Sequence, residues 1–292
     1  MKRWMDFIGK RYFAYGLSIF VIVASWLYGG LLKGPKFGID FTGGLLIQAK
    51  FKENVGTEFV RSLFKKENIK SVSVQNLRDS KSEFLIRLPV VKNPEKVTAK
   101  VREILEKNDA EVRKVEMIGP TIGKELKRKG ILALIYATIG IFIYIAWRFE
   151  TIFAVGAILA LIHDTLATVG IFMSDGREFS LPVIASLLTI IGYSINDTIV
   201  VYDRIRENMK TFLKKKRFEE IVNDSINQTL SRTIITSLTT LFVVLTIYLF
   251  GGASLNDFAF VLLVGIIVGT YSSIFVASSI VVDWYKKVKK HI

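Results

Sequence analysis

The sequence predicts a multi-pass α-helical membrane protein, with six transmembrane helices and a small α+β ferredoxin-like domain between helices 1 and 2. Three observations predict it. Charge is segregated: 23% of the 292 residues are charged, yet Tyr12–Leu32, Thr233–Asn256 and Phe258–Val282 contain no Asp, Glu, Lys, Arg or His. Each of these runs reaches the roughly 20 apolar residues that cross a bilayer. The segment after the first run, Lys33–Lys129, is polar, with 22 Lys or Arg and 13 Asp or Glu, and carries its own strand and helix periodicities. Basic residues also cluster in alternate connections between the apolar runs. This pattern excludes a soluble two-domain enzyme and a disordered basic chain.

The first span follows Lys2, Arg3, Lys10 and Arg11. Its apolar stretch exceeds the about 7 to 15 residues of a cleaved signal, so residues 1–32 read as a cytoplasmic N-terminus and a retained helix. Residues 33–129 then form the small domain. Leu45, Ile47, Ala49 and Phe51 alternate with Leu46, Gln48 and Lys50, the period of a half-buried strand. Gly56–Ile69 reads as a helix, with Phe59, Val60, Leu63 and Phe64 on one face. Strands follow around Ser71–Leu77 and Ser82–Val90. Asn93 as N-cap and Pro94 as first residue open a second helix that buries Val97, Val101, Ile104 and Leu105. A last alternating strand, Ala110–Ile118, completes the β-α-β-β-α-β order.

Five more spans occupy residues 130–282: Gly130–Trp147, Thr151–Met173, Ser180–Tyr202, Thr233–Phe250 and Phe258–Val282. Between the fourth and fifth of these six helices, residues 203–232 read as a cytoplasmic amphipathic helix at the membrane surface, with Ile205, Met209, Phe212 and Leu213 among basic residues. Residues 283–292 form a basic tail. The short segments predicted on one side carry 17 Lys or Arg, and those on the other carry Arg177 alone. Positive residues mark the cytoplasmic side, so both termini are expected there and the small domain across the membrane.

A net charge of +14 raises nucleic acid as a partner, but the basic domain shows no aromatic stacking motif and lies opposite the cytoplasm, so no nucleic-acid partner is expected. The absence of Cys and the presence of only two His give no thiolate, disulfide or His-built metal site, so neither a metal nor a cofactor is expected. Ser and Thr are plentiful but sit in no nucleophile elbow, and no catalytic site is recognisable. The chain is not expected to be an enzyme.

Ionisable groups inside a span are expensive, about 2.5 to 3.5 kcal/mol or more at the helix centre, and so face other helices or water. His163 and Asp164 lie mid-span, about 100° apart around their helix, so one of them is expected to hydrogen-bond across the bundle. Asn196 and Asp197 lie in the next span, and Arg232 at the entrance to the fifth. A buried Asp beside a permanent Arg charge can serve as a proton relay; the same pair can equally be an ion pair that pins two helices. Gly265 and Gly269 form a small-xxx-small pair for close helix packing.

Several longer motifs carry a resemblance. Gly38-Ile-Asp-Phe-Thr-Gly-Gly44 after the first span includes Asp40, Gly43 and Gly44, and Ile118-Gly-Pro-Thr-Ile-Gly-Lys-Glu-Leu126 precedes the second. Gly192-Tyr-Ser-Ile-Asn-Asp-Thr-Ile-Val-Val-Tyr-Asp-Arg-Ile-Arg-Glu-Asn208, Arg232 with its Thr and Ser run, and Gly269-Thr-Tyr-Ser-Ser-Ile-Phe275 complete the set. Together they resemble the SecF branch of the bacterial SecD/SecF protein-export family, in the resistance-nodulation-division superfamily. The resemblance implies an accessory subunit of the Sec translocase in the cytoplasmic (inner) membrane. Such a subunit works with SecD beside the SecYEG channel, with YajC and YidC as further partners, and uses the proton-motive force to move a periplasmic domain that engages an unfolded translocating polypeptide. Carried over to this chain, Asp197 and Arg232 look like the family's charged pair for proton passage, with Asn196 and Asp164 in support. The chain has one six-helix half, so a separate SecD is expected to supply the other. A proton-coupled exporter of lipid or hydrophobic small molecules is the alternative on the same architecture, but it calls for a larger outer domain.

Overall fold

The computed structural model describes residues 5–67, 69, 72–77, 82–89 and 93–289. The predicted basic residues Lys2, Arg3 and Lys290 lie outside them, as do the outer ends, Ser71 and Val90, of the two middle strands. The chain divides into two compact units: residues 37–131 with 179–181, and the remainder.

In chain order the elements are α1 (Arg11–Trp26, continued by a π-helical stretch Leu27–Lys33), β1 (Lys36–Phe37), α2 (Ile39–Thr42), β2 (Gly44–Phe51), α3 (Thr57–Lys66), β3 (Ser73–Asn76), β4 (Glu83–Leu88), α4 (Pro94–Lys107), β5 (Ala110–Ile118) and α5 (Pro120–Arg148). There follow α6 (Thr151–Ser174), β6 (Glu178–Phe179), α7 (Leu181–Phe212), α8 (Phe218–Phe250), α9 (Ala253–Ser272) and α10 (Ser278–Lys289), the last two joined through a π-helical turn at Ser273–Ala277.

The smaller unit is the expected ferredoxin-like sandwich. Its antiparallel sheet has the order β3-β4-β2-β5. Ile47 sits opposite Ile86 on one side and Val115 on the other. Leu45, Ile47, Ala49 and Phe51 are all buried, as the alternation requires, against Val60, Leu63 and Phe64 of α3 and Val101, Ile104 and Leu105 of α4. Phe59 is 45% exposed at the rim of this core, its ring edge-on to Phe51. The predicted alternation of Ala110–Ile118 is interrupted. Gln48 pairs with Lys114 but Ala49 with Val112, so Arg113 is an extra residue, a bulge that shifts the inward set to Ala110, Val112 and Val115.

In the larger unit, six helices among the described residues are long and apolar enough to cross a membrane. Those of α6, α7 and the α9–α10 span bury 50–56% of their apolar windows and those of α1, α5 and α8 only 11–17%, so the first three form the centre of the bundle. Residues 203–232 do not form the single surface helix expected. α7 continues to Phe212, the chain turns through Leu213–Arg217, and α8 begins at Phe218. Of the predicted apolar stripe, Ile205 lies in the bundle core with Ile221, Val222 and Ile226 of α8, Met209 packs against it, Phe212 is half-buried and Leu213 is exposed. Asn208 Nδ2 donates to Ser225 Oγ at 2.8 Å and Gln228 Oε1 at 2.9 Å, zipping the two helix ends into an antiparallel hairpin. The consecutive cations Lys214, Lys215, Lys216 and Arg217 repel one another in a continuous helix and fall at the turn.

The N-terminal segment is fixed to the same end of the bundle. Asn223 Oδ1 accepts the backbone N–H of Phe7 at 2.8 Å, and Arg11 pairs with Asp283 at 2.9 Å and Glu219 at 3.6 Å.

Candidate functional site

Two buried carboxylates lie among α6, α7, α8 and α9, and their surroundings differ. Asp164, on α6, is 1% exposed and is held by three groups. Ser194 Oγ on α7 donates to its Oδ2 at 2.5 Å and Ser272 Oγ on α9 donates to the same oxygen at 2.8 Å. His163 Nδ1 lies 2.9 Å from Oδ1 and donates to it in the Nδ1–H tautomer. Asp164 thus hydrogen-bonds across the bundle, as expected of one of the two. The expectation that the neighbours point apart fails, because the imidazole folds back onto the adjacent carboxylate. A carboxylate with three donors is a satisfied buried anion that ties three helices together.

Asp197, one turn along α7 from Ser194 on the same face, is 3% exposed and accepts one hydrogen bond among the described residues, from Ser237 Oγ of α8 at 3.3 Å. Ser237 Oγ is in turn 2.8 Å from Thr270 Oγ1 of α9, and Thr270 Oγ1 is 2.7 Å from the Ile266 carbonyl oxygen. Each hydroxyl has one proton to give. With Asp197 ionised, Thr270 donates to Ser237 and Ser237 to the carboxylate. With Asp197 protonated, every donor reverses, and the chain ends on the Ile266 carbonyl. Both protonation states of Asp197 are accommodated by rotating two hydroxyls; at Asp164, Ser272 can turn to the Gly269 carbonyl at 3.2 Å, but Ser194 has no second acceptor among the described residues.

Arg232 is exposed and forms no ion pair within 4.0 Å among the described residues, so it acts on Asp197 only through space. The pinned buried pair is therefore corrected. Asn196 also faces outward, because it follows Ile195 by one 100° step while Asp197 turns into the bundle. It takes no part in either hydroxyl network. Gly265 and Gly269 do what their spacing predicts. A side chain on Gly265 would collide with Ile190, and one on Gly269 would place its Cβ 3.0 Å from Ser194 Cβ, so the α7–α9 approach that carries both carboxylate networks depends on them.

Gly43 and Gly44 have φ of +72° and +134°. A Cβ at Gly43 would lie 2.9 Å from Pro120 Cα, and one at Gly44 2.5 Å from the Leu88 carbonyl oxygen. Asp40 Oδ2 accepts the backbone N–H of Leu181 at 2.7 Å.

Sequence reasoning passed over Ser194, Ser237 and Thr270 as partners. Ser194 lies at i−3 from Asp197, a spacing that places it on the same face, but hydroxyls are so frequent in these helices that spacing alone does not single it out.

Residues 96–287 match the family described as protein export membrane protein SecD/SecF, C-terminal, and residues 31–55 match the SecD/SecF GG motif. The chain is 48% identical over 284 residues to the protein translocase subunit SecF of Calditerrivibrio nitroreducens, covering 95% of this chain and 93% of that one. It is 44% identical to the SecF subunit of Desulfurispirillum indicum over 96% of this chain and 92% of that one. The crystal structure of SecDF from Thermus thermophilus, described as a translocon-associated membrane protein, superposes with a TM-score of 0.88 at 40% identity. That match covers 97% of this chain and 39% of the fused one, so this chain spans about two fifths of SecDF. Those matches, with six membrane-length helices and a four-stranded domain between the first two, make this chain a member of the SecD/SecF family of protein-export membrane proteins.

Proposed function

We propose that the chain is a proton-coupled subunit of the bacterial protein translocase, in the cytoplasmic membrane, with both termini cytoplasmic and the α+β domain periplasmic. Asp197 takes up and releases the proton, Arg232 supplies a permanent positive charge nearby, and Asp164 is the fixed anion that keeps α6, α7 and α9 in register. The observation that carries this reading is the reversible hydroxyl chain from Asp197 through Ser237 and Thr270 to the Ile266 carbonyl. A proton crossing the membrane field contributes about 2.3 kcal/mol per 100 mV, enough to shift a two-state helix arrangement severalfold.

The partner is SecD, a reading supported by the fused SecDF of Thermus thermophilus. Polar and small residues exposed on the single chain support this: Ala185, Thr189, Gly192 and Asn196 line one face of α7, and Arg232 and Thr239 are exposed on α8, with Thr236 half-buried between them. Facing lipid, Asn196 and Arg232 are costly; facing partner helices, they are useful. The SecYEG channel, YajC, YidC and an unfolded polypeptide in transit complete the assembly. The chain performs no covalent chemistry in this reading.

Replacing Asp197 by Asn in vesicles that carry the full complex should abolish gradient-dependent stimulation of export while the chain still copurifies with SecD. Normal export by this variant under a proton gradient overturns the assignment.

A further inference from the structure

The Gly-Gly turn after α1 takes no part in the proton chemistry, yet it joins elements far apart in sequence. Residues 37–131 and 179–181 form one unit, so the motif and the residue that begins α7 belong to the same body. Within it, Asp40 reaches a backbone N–H 141 residues away, that of Leu181 at 2.7 Å. The first N–H groups of a helix have no partner inside it, and Pro182, the next residue, has none to offer. Asp40 therefore caps α7 from outside, with a negative charge at the positive end of the helix dipole.

Two more contacts hold the chain around this cap. The Gly38 N–H donates to the Phe179 carbonyl at 2.8 Å, and the rings of Phe37 and Phe179 lie 5.8 Å apart. Buried Ile39 and Phe41 anchor the short α2 that carries Asp40. On its other side α2 runs against the first turn of α5, where a Cβ at Gly123 would lie 3.0 Å from Gly43 N and 3.1 Å from the Phe41 carbonyl oxygen. The glycines leave α2 no slack. A displacement of Leu181 along or around the α7 axis is passed to α2, and from α2 to β2 and the sheet.

We propose that Asp40 is a coupling residue: its hydrogen bond to Leu181 transmits movement of α7, the helix that carries Ser194 and Asp197, to the α+β domain. The proposal rests on the proton-coupled reading above. Without this bond, the start of α7 is held to the α+β unit through the Gly38–Phe179 hydrogen bond and the Phe37–Phe179 ring contact in the connection before the helix, and the movement is not passed to α2 from the helix itself.

The test uses the full complex in vesicles with a preprotein substrate, together with site-resolved amide exchange. In Asp40→Ala, exchange at Leu181 should rise about tenfold or more, the scale of one hydrogen bond to a charged group. Gradient-dependent export should fall by a similar factor, while exchange in β2 and β4 and copurification with the partner stay unchanged. Asp40→Asn keeps an acceptor oxygen and should retain most of the export. Further, Asp197→Asn in the native background should change exchange at Leu181 and in β2, and Asp40→Ala should remove the change in β2. Export within about twofold of native in Asp40→Ala overturns the proposal, since a lost bond of this kind should cost more. Loss of protection throughout β2 and β4 also overturns it, because Asp40 would then be a folding residue. Failure of the proton reading appears separately, as normal export by Asp197→Asn.

Discussion

Ser194 donates to Asp164 across the α6–α7 boundary at 2.5 Å, one turn of α7 from Asp197, whose only donor among the described residues, Ser237, stands at 3.3 Å. One face of α7 thus carries a satisfied carboxylate contact and an under-satisfied carboxylate. The two acids should respond differently to the same replacement. Asp164→Leu leaves the Ser194 hydroxyl without an acceptor and Ser272 with only the Gly269 carbonyl at 3.2 Å, a loss of about 1–3 kcal/mol for the stranded buried group. Asp197→Leu strands one hydroxyl that already has Thr270 to turn to, and should be tolerated better. Thermal unfolding in detergent decides between them, and an equal or larger fall in midpoint for Asp197→Leu contradicts the division of roles.

Gly44 should be the less replaceable of the glycine pair. At Gly43 the φ of +72° with ψ of 166° is open essentially to glycine alone, and a Cβ there would lie 2.9 Å from Pro120 Cα, so the closer contact at Gly44 decides between the two. At Gly44 the φ of +134° is accessible essentially to glycine alone, and the new Cβ meets a backbone carbonyl that cannot turn aside. Gly44→Ala should reduce the amount of folded protein in the membrane more than Gly43→Ala. Equal accumulation of the two variants contradicts this.

Gly265 offers a test with a built-in rescue. A methyl there strikes Cδ1, Cγ1 and Cγ2 of Ile190, and overpacking of this kind costs about 1–3 kcal/mol. Ile190→Ala removes all three atoms, so Gly265→Ala should cost less thermal stability in the Ile190→Ala background than in the native one. At Gly269 the obstacle is Ser194, and trimming it would break the bond to Asp164, so no such rescue is expected there.

These contrasts show what was legible in the sequence. The six spans and the inward set of β2 follow from periodicities that solvent or lipid on one side enforces. Asp164 and Asp197 were legible because a charge in an apolar run needs a reason. The hydroxyl partners were not, since Thr270 also satisfies itself on the Ile266 carbonyl of its own helix, as Ser and Thr in helices commonly do. The extension of α7 and α8 beyond the predicted spans is not legible because an amphipathic stripe looks the same whether it faces lipid or a neighbouring helix. The bulge at Arg113 leaves no trace in composition at all.

In the α+β domain, the Glu103 carboxylate is held below its ordinary range by the hydrogen bond and charge of Lys107, four residues on, and Lys107 is raised by the same contact. A carboxylate depressed in the folded state stabilises above its unfolded value, and the contribution is lost as pH falls through the folded one. Lys107→Ala should move the Glu103 titration upward, observable by NMR on labelled carboxylates. Both groups are fully exposed, so the unfolding midpoint should barely change. An unmoved Glu103 titration contradicts the pairing.

The exposed face formed by Thr189, Gly192 and Asn196 on α7 should be covered in the working assembly. An Asn side chain at this depth, turned to hydrocarbon, leaves two donors and an acceptor unpaired, whereas a partner helix crossing at Gly192 can come close enough to bond to it. The chain contains no Cys, so a single Asn196→Cys variant reports cleanly. Cross-linking to the SecD-type chain in native membranes, with weak labelling by a lipid-soluble thiol reagent, is the expected result. Gly192→Leu should block the same cross-link by holding the helices apart, while Leu at Ile135 on the outward face of α5, itself apolar and exposed, should leave it intact. Strong labelling by the reagent in the intact complex would show that this face meets lipid, and a link between two copies of this chain would replace the SecD-type partner with a homodimer.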